Sequence, residues 1–289
     1  MRPFFRQQQW LFVAVLCLIS ALLTGCQRGS MKAADQSVVL SYLTVDLGDG
    51  VTMRLVLIPA GKFTMGSPDD EDFRDIDEGP RRRVKITKPF YMGVYEVTQA
   101  QWKAVMGTKP WKDSEYAQEN PDNAANCITW EDAMEFCRQL GQKTNQTVRL
   151  PTEAEWEYAC RAGSKTRFHY GDDLDYLSLG DYAWHSKNAW DMDDKYPHPV
   201  GCKAPNAWDL YDMYGNVWEW CSDWWQDGYK KLSTKDPAGP ASGSCRVLRG
   251  GAFCAAGPDC RSANRYGNSP VHVWYGNGLR VVIAPEPGR

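Results

Sequence analysis

Between Gly163 and Gly243 the chain continues for about eighty residues that are dominated by Gly, Pro, Asp, Trp and Tyr. Compact domains seldom contain so long a stretch without regular secondary structure, and where they do it is usually functional. The chain holds 13 Trp, 14 Tyr and 25 Gly in 289 residues, so large aromatic side chains are available to fix irregular backbone. The sequence therefore predicts a domain in which ordered loops form much of the fold.

Three short helices are predicted by their capping patterns. Each begins at a threonine whose hydroxyl can accept the backbone N–H of the third helical residue, and each has apolar side chains at helical spacing. A glycine follows each helix, as expected at a left-handed helix end. The predicted starts are Thr98-x-x-Gln101, Thr129-x-x-Asp132 and Thr152-x-x-Glu155, and the predicted ends are Gly107, Gly141 and Gly163.

Strand-like segments are few and short. Residues 38–45 and 52–58 alternate apolar and polar side chains, and the turn sequence Leu47-Gly48-Asp49-Gly50 between them predicts a hairpin. Shorter segments predict strands at 83–86, 90–94, 246–248 and 279–283. Because no change of composition follows residue 37, we predict a single domain over residues 38–289.

The overall composition excludes several classes of protein. A hydrophobic fraction of 43% and a charged fraction of 24% are typical of globular chains, which excludes disordered and fibrous classes. The chain has 33 Lys+Arg against 36 Asp+Glu and a formal net charge of -3, so it lacks the basic surface that nucleic acid requires. We therefore expect no nucleic-acid partner.

The first residues are predicted to form a targeting signal rather than part of the fold. Arg2 and Arg6 precede an apolar run that is too short for a comfortable membrane span. That run ends in Leu23-Thr24-Gly25-Cys26, which resembles the lipobox of bacterial lipoproteins. The resemblance implies a signal peptide over residues 1–25, lipidation of Cys26 and a tether over 26–37.

Lipidation would attach the domain to a membrane without spanning it, so the expected location is the bacterial cell envelope, at the outer membrane or cell surface. Gln27 follows the cysteine instead of an aspartate that would indicate retention at the inner membrane. The alternative is an ordinary signal anchor in which Cys26 is incidental.

Eight cysteines lie beyond Cys26. In the cell envelope they could form disulfides, but the sequence does not give the connectivity, and Cys137 and Cys160 lie on apolar helix faces as core thiols. The four histidines have no metal-ligand spacing and are interpreted as surface or loop residues. The eight cysteines are Cys127, Cys137, Cys160, Cys202, Cys221, Cys245, Cys254 and Cys260.

Several motifs occur together in a characteristic order. They are Ile58-Pro59-Ala60-Gly61-Lys62-Phe63-Thr64-Met65-Gly66-Ser67, Tyr95-Glu96-Val97-Thr98, Arg149-Leu150-Pro151-Thr152-Glu153-Ala154-Glu155-Trp156-Glu157-Tyr158-Ala159, Leu210-Tyr211-Asp212-Met213-Tyr214-Gly215-Asn216-Val217-Trp218-Glu219-Trp220, Arg249-Gly250-Gly251 and Gly278-Leu279-Arg280-Val281-Val282. This set resembles the formylglycine-generating enzyme (sulfatase-modifying factor) superfamily. The resemblance implies an α+β variant of the C-type lectin fold, with a small twisted antiparallel sheet, short helices and long ordered loops.

The resemblance also implies structural calcium. Asp212, Glu219 and the backbone carbonyls of Gly215 and Val217 match the second calcium position of the family. Hard oxygen donors clustered on a loop suit Ca²⁺. The alternative is that Asp212 and Glu219 only accept hydrogen bonds from loop amides.

Active members of the family use Cu(I) and O₂ to oxidise a sulfatase cysteine within a Cys-x-Pro-x-Arg segment. The family's two copper-binding cysteines are separated by four residues, and Cu(I) prefers soft thiolate ligands. Here Cys254 and Cys260 follow the glycine pair but have five residues between them, in a segment about three residues shorter than in active enzymes. The two are catalytic candidates only if the chain is such an oxidase, and otherwise form a disulfide or two unrelated thiols.

The superfamily also includes variable ligand-binding proteins that are diversified by retroelements, and the C-terminal segment resembles theirs. Residues 260–265 and Asn268-Ser269-Pro270 are interpreted as scaffold between variable positions. Aromatic residues among small ones are typical of a binding surface with rigid anchors. The predicted ligand-binding residues are Phe253, Ala255, Ala256, Gly257, Tyr266, Gly267, His272, Val273, Trp274, Tyr275 and Asn277.

Three functions follow from these observations. The first is a surface-anchored domain that binds a protein or glycan without catalysis. The second is an oxidase, either of the formylglycine-generating kind, with Cu(I) as cofactor and a sulfatase as partner, or a related superfamily oxidase that acts on small molecules. The third is a paralogue that partners an active sulfatase-modifying enzyme or another envelope protein. The altered cysteine spacing favours binding over oxidation.

Overall fold

The computed structural model describes residues 40–285, which all fall within one compact unit. Four α-helices and eleven strands are short relative to the loops that join them. The helices are α1 (Gln99–Met106), α2 (Trp130–Thr144), α3 (Glu153–Arg161) and α4 (Leu179–Tyr182). The strands are β1 (Tyr42–Gly48), β2 (Val51–Ile58), β3 (Gly61–Met65), β4 (Arg82–Ile86), β5 (Phe90–Gly93), β6 (Val148–Arg149), β7 (Trp218–Trp224), β8 (Arg246–Arg249), β9 (Tyr266–Asn268), β10 (Asn277–Gly278) and β11 (Val282–Ile283).

The strands form three sheets. Five strands pair in the order β1-β2-β5-β11-β6, four in the order β10-β7-β8-β9, and β3 pairs with β4. Every pairing is antiparallel except that of β10 with β7. The C-terminal strand β11 therefore lies between β5 and β6, which ties the end of the described chain to its first hairpin.

The three predicted helices and their threonine caps are confirmed. The hydroxyls of Thr98, Thr129 and Thr152 each accept the backbone N–H of the third helical residue. The predicted end of the middle helix was wrong, because α2 continues past Gly141 to Thr144. A Cβ at Gly141 would lie 2.9 Å from the Gln146 carbonyl oxygen, so this glycine allows a close approach rather than ending the helix.

The predicted hairpin is also confirmed, with strands β1 and β2 meeting at a turn that contains Asp49 and Gly50. Five strands were missed: β3 and β7, and the very short β6, β9 and β10. Strand β3 lies in the first family motif and alternates exposed Lys62 and Thr64 with inward-facing Phe63 and Met65, so its pattern could have been recognised. Strand β7 lies inside the stretch predicted to be mostly loop. The sequence Trp218–Trp224 is buried along most of its length, so it lacks the alternating pattern by which a half-buried strand is recognised.

The loop-rich stretch between Gly163 and Gly243 is ordered by buried aromatic side chains. Phe168, Tyr214 and Tyr229 are fully or almost fully buried. The rings of Tyr170 and Tyr182 stack with centroids 3.9 Å apart. Apart from β7, α4 and two short 3₁₀ turns, this stretch has no regular element, as the sequence predicted.

Within residues 40–285 no helix has both the length and the apolar character needed to cross a membrane. The predicted signal peptide, Cys26 and the tether to residue 37 lie outside the described residues. They stay predictions.

Candidate functional site

A cavity of about 640 Å³ opens beside the C-terminal segment, and its volume lies in the range of small-molecule sites. We call it the aromatic cavity because five of its thirteen lining residues are Trp or Tyr. The walls come from four regions of the chain, namely Asp75, Trp190, Trp218 and the segment 254–275. The lining residues are Asp75, Trp190, Trp218, Cys254, Ala255, Asp259, Asn264, Arg265, Tyr266, Asn268, His272, Trp274 and Tyr275.

Two glycines after strand β8 turn the chain into this wall. Gly250 and Gly251 have φ values of +103° and +79°, a region that side-chain-bearing residues rarely adopt. A Cβ on Gly251 would lie 2.7 Å from the sulfur of Cys260, and one on Gly250 would lie 3.1 Å from the Trp156 ring. The glycine pair therefore brings residues 252–260 back against the core, with Cys254 and Ala255 facing the cavity.

The aromatic rings of the cavity form two groups. Tyr275 lies between Trp190, at a centroid distance of 5.7 Å, and Trp274, at 5.0 Å. On the other side, Trp218 at the start of β7 contacts Tyr266 at the start of β9, with centroids 5.8 Å apart. Offset and tilted pairs at these distances are mutually stabilising, so the rings support one another.

The two candidate catalytic cysteines lie in different environments. Cys260 is fully buried, and its thiol lies 3.5 Å from the Ala256 carbonyl oxygen as a weak donor. Cys254 is partly exposed and lines the cavity. All eight cysteines of the described residues are free thiols, so the predicted alternative of a disulfide is wrong for this pair.

Both thiols are held in the neutral form. Burial raises the pKa of the Cys254 thiol to about 12 and raises the pKa of Cys260 well above its ordinary value. Cu(I) binds cysteine as the thiolate, so a copper site here would have to release both protons on binding.

The structure brings together only part of the predicted ligand-binding set. Ala255, Tyr266, His272, Trp274 and Tyr275 line the aromatic cavity. The side chains of Phe253 and Asn277 are fully buried, and Gly257 is also buried, so a ligand at the surface would not reach them. Ala256 and Val273 are exposed but do not line the cavity, and Gly267 lines a smaller neighbouring one.

The sequence did not identify several cavity residues. Trp218 stands in a family motif, but the sequence indicated no role for it. Asp75 and Trp190 come from distant loops and carry no local signal. The lining residues that were missed are Asp75, Trp190, Trp218, Asp259, Asn264, Arg265 and Asn268.

Behind the cavity lies a set of buried arginine–carboxylate pairs that we call the arginine frame. Arg249 pairs with Glu157 and lies 3.4 Å from Glu153, and Arg265 donates two hydrogen bonds of 2.8 Å to Glu153. The other members are Arg261 with Glu71 and Glu78, and Arg280 with Glu219.

The arginine frame compensates its own charges. Burial alone would raise the pKa of Glu78, but the hydrogen bonds and charge of Arg261 hold it below its ordinary value. The stretch Arg261–Arg265, predicted to be scaffold, is buried throughout. This part of the C-terminal segment is therefore structural.

The predicted calcium donors fit an ion only in part. Asp212 is buried, and its Oδ2 accepts the Gly201 N–H at 2.7 Å, while Oδ1 has no partner. By contrast, both oxygens of Glu219 are occupied, by Arg280 and by the Trp156 indole N–H at 2.8 Å. No group of three or more His, Cys, Asp or Glu side chains in residues 40–285 is arranged to hold a metal ion.

Glu96 joins this cluster and was missed as a site residue, although it stands in a family motif. Its carboxylate accepts the Asn216 side-chain amide at 2.6 Å and the Val217 backbone N–H at 3.0 Å. Burial raises its pKa well above the ordinary value, and the negative charges of Asp212 and Glu219 add to that. Arg280 pairs directly with Glu219, and its positive charge also favours the ionised forms of Glu96 and Asp212.

The comparisons with known proteins agree with this architecture. A family model described as "Sulfatase-modifying factor enzyme 1-like domain" matches residues 49–285. The formylglycine-generating enzyme of Bos taurus is 31% identical over 274 residues, covering 75% of this chain and 71% of the bovine one.

Two solved structures are similar as well. "Treponema denticola variable protein 1" has 28% identity and a TM-score of 0.73, covering 86% of this chain and 99% of that chain. PvdO from Pseudomonas aeruginosa has 30% identity and a TM-score of 0.74, covering 84% of this chain and 98% of that one. These matches confirm the predicted α+β fold of the formylglycine-generating-enzyme type. The chain belongs to the family of sulfatase-modifying factor enzyme 1-like domains.

Proposed function

We propose that this protein is a ligand-binding member of its family, and that it binds a protein or glycan at the aromatic cavity without catalysis. The observation that carries the proposal is the cavity itself. It joins aromatic anchors with hydrogen-bonding side chains such as Asn264 and Asn268, on a wall fixed by the arginine frame. Rigid aromatic residues lose little conformational entropy on binding, which makes them effective contact residues.

The spacing of the cysteines supports binding over oxidation. Cys254 and Cys260 have five residues between them, whereas the two copper-binding cysteines of active relatives have four. The structural similarity to variable protein 1 of Treponema denticola gives further support, because that protein is named as variable and the similarity covers 99% of its chain. As in our sequence interpretation, diversification of the C-terminal segment by a retroelement is part of this proposal, and a template repeat beside the gene would support it.

The binding proposal is tested with the full chain on a defined panel of glycans and of purified envelope proteins. We expect at least one probe to bind the wild type and to lose at least about tenfold in affinity on Tyr266→Ala or Trp274→Ala, since buried aromatic anchors often dominate binding. Tyr42→Ala, which removes an exposed tyrosine side chain that is not among the cavity-lining residues, is the matched control. Probes that bind all three variants alike would contradict the proposal.

The second candidate function is oxidation of a sulfatase cysteine with Cu(I) and O₂. One observation favours it: both free thiols come from one short segment, and Cys254 opens to the cavity where a peptide could enter. Incubation of the chain with Cu(I), O₂, a reductant and a Cys-x-Pro-x-Arg peptide, followed by peptide mass, tests it. Aldehyde formation that is abolished by Cys254→Ser or Cys260→Ser would replace the binding proposal.

We propose structural calcium and lipid anchoring as further parts of the function. Oδ1 of Asp212 is a buried oxygen without a partner, which supports a cation there. Calcium should then raise the melting temperature relative to EDTA, and Asp212→Ala should remove that shift. For the anchor, which places the protein at the outer membrane or cell surface, metabolic labelling with a fatty acid should depend on Cys26.

A further inference from the structure

The charges that line the aromatic cavity are unbalanced. Its formally charged residues are Asp75, Asp259 and Arg265. Arg265 is not available to a ligand, because its guanidinium donates to Glu153 and to the carbonyl oxygens of Asp77 and Gln226. The surface that a ligand meets is therefore acidic.

The two acids lie close enough to influence each other. Burial raises the pKa of the Asp259 carboxyl, and the negative charge of Asp75 raises it further, against the opposing effects of the Ala256 N–H and Arg261. Arg261 does not pair with either acid, because it is held by Glu71 and Glu78. Neither Asp75 nor Asp259 forms an ion pair with any residue of the described chain.

The rings around these acids attract positive charge. The face of a Trp or Tyr ring carries partial negative charge and binds a cation placed over it, most strongly where water is excluded. Trp190, Trp274 and Tyr275 supply such rings on one side, and Trp218 and Tyr266 on the other. The same chain already uses this contact elsewhere, since Arg246 lies between Trp130 and Trp224 at 3.6 and 3.4 Å.

The cavity suits an organic cation better than a metal ion. A volume of about 640 Å³ exceeds what one ion would fill, and the described residues place no group of three metal-ligating side chains there. We propose that the aromatic cavity recognises an alkylammonium or guanidinium group, held over its rings and between the carboxylates of Asp75 and Asp259. This inference rests on the proposed binding function and names the chemistry of its ligand. Such a group occurs on a basic side chain of a protein partner and on a free amine or amino sugar.

The test measures tryptophan fluorescence of the full chain during titration with matched probes. The cations are choline, Nα-acetyl-lysine methylamide, Nα-acetyl-arginine methylamide and glucosamine. Their neutral counterparts are 3,3-dimethyl-1-butanol, Nα-acetyl-norleucine methylamide, Nα-acetyl-citrulline methylamide and N-acetylglucosamine. We expect at least one cation to bind at least about tenfold more tightly than its counterpart, since both the rings and the carboxylates favour positive charge. The identity of the tightest-binding cation then shows whether the ligand is a peptide side chain, a free amine or an amino sugar.

Substitutions of single aspartates test which carboxylates bind the cation. Asp75→Asn and Asp259→Asn should each weaken binding of the cation by about fivefold or more, since each removes one of the two unpaired charges. Asp70→Asn removes an equal charge from an exposed position on the same acidic loop and should leave the affinity unchanged. Equal weakening by Asp70→Asn would indicate only long-range attraction and would overturn the proposal.

The remaining outcomes separate this inference from the function on which it rests. Neutral probes that bind as well as the cations, with loss on Trp274→Ala, would overturn cation recognition and retain the binding function. If no cation binds up to millimolar concentration, the inference is wrong, and the glycan and protein panel then decides the binding function separately. Conversion of the cysteine peptide would overturn both.

Discussion

The arginine frame and the aromatic cavity both take residues from the C-terminal stretch, but their charged side chains differ in whether they are paired. In the frame, Arg249, Arg261 and Arg265 are buried and each meets at least one carboxylate. In the cavity wall, Asp75 and Asp259 face a solvent-accessible space without a paired cation.

The difference separates structural from functional residues within one segment. A buried charge is tolerated only when a partner compensates it, so the frame fixes its residues closely. A charged side chain in the exposed cavity wall is hydrated and needs no such partner, so residues there can be substituted at less cost to stability. The following predictions test that division, beginning with the largest expected effect.

Arg249→Leu should be the most damaging change. It leaves Glu157 and Glu153 without their shared guanidinium in the interior, and loss of one partner of a buried pair costs about 3–5 kcal/mol. Urea unfolding measures the loss. Arg138→Leu breaks a solvent-exposed pair with Glu135, which water and salt screen, so it should lower the free energy of unfolding far less. Similar losses for the two variants would contradict the distinction between frame and surface.

Asp223→Asn should stabilise the protein at alkaline pH. Asp223 is a buried acid behind the frame, and burial, with the charge of Glu153, raises its pKa to about 7. Because its folded pKa exceeds the unfolded one, folding binds a proton, and stability falls as pH rises between about 4 and 7. Because asparagine cannot ionise, Asp223→Asn should raise the free energy of unfolding by about 2–4 kcal/mol at pH 8 and leave it almost unchanged at pH 4.

The amide oxygen that Asp223→Asn introduces can still accept the Glu153 N–H, which the wild-type carboxylate accepts at 2.9 Å. Thermal unfolding of the variant and wild type at pH 4 and pH 8 therefore isolates the charge. Equal effects at both pH values would mean that packing, not ionisation, sets the difference.

Tyr266→Ala should change stability by only about 1 kcal/mol, because the side chain is 49% exposed and its main contact is one tilted ring pair with Trp218. Its effect on ligand affinity should be much larger. Urea unfolding and probe titration on the same preparation provide the comparison. A loss of stability as large as that of Arg249→Leu would place Tyr266 in the frame rather than in the cavity wall.

The smallest effect concerns thiol accessibility, with no substitution at all. During alkylation of the native chain, the exposed Cys202 should react first, Cys254 more slowly, and the fully buried Cys260 only on unfolding. A cysteine is alkylated only if the reagent can reach it and if it is present as the thiolate. Burial raises the pKa of Cys254, so little of it is present as the thiolate. Peptide mapping over time gives the order. Rapid reaction of Cys254 would show an activated thiol and would favour the oxidase hypothesis.

The sequence by itself determined the family, the α+β class, the three capped helices and the loop-rich character. These depend on local patterns: a threonine cap acts within three residues, and a family motif is contiguous in the chain. It also located part of the cavity wall, because Tyr266, Trp274 and Tyr275 stand in one segment whose mixed aromatic and small residues indicate binding.

Only the tertiary structure decided which residues share a space. Asp75 and Trp190 join the cavity from loops far away in sequence, and Phe253 and Asn277, next to cavity residues in the chain, are turned into the interior. Irregular loops have no repeating period, so the chain carries no sign of which side chains face inward. Likewise, Glu219 pairs with Arg280, which lies 61 residues further along the chain, and no local sequence pattern predicts that pair. Long-range packing, not local preference, assigns these roles.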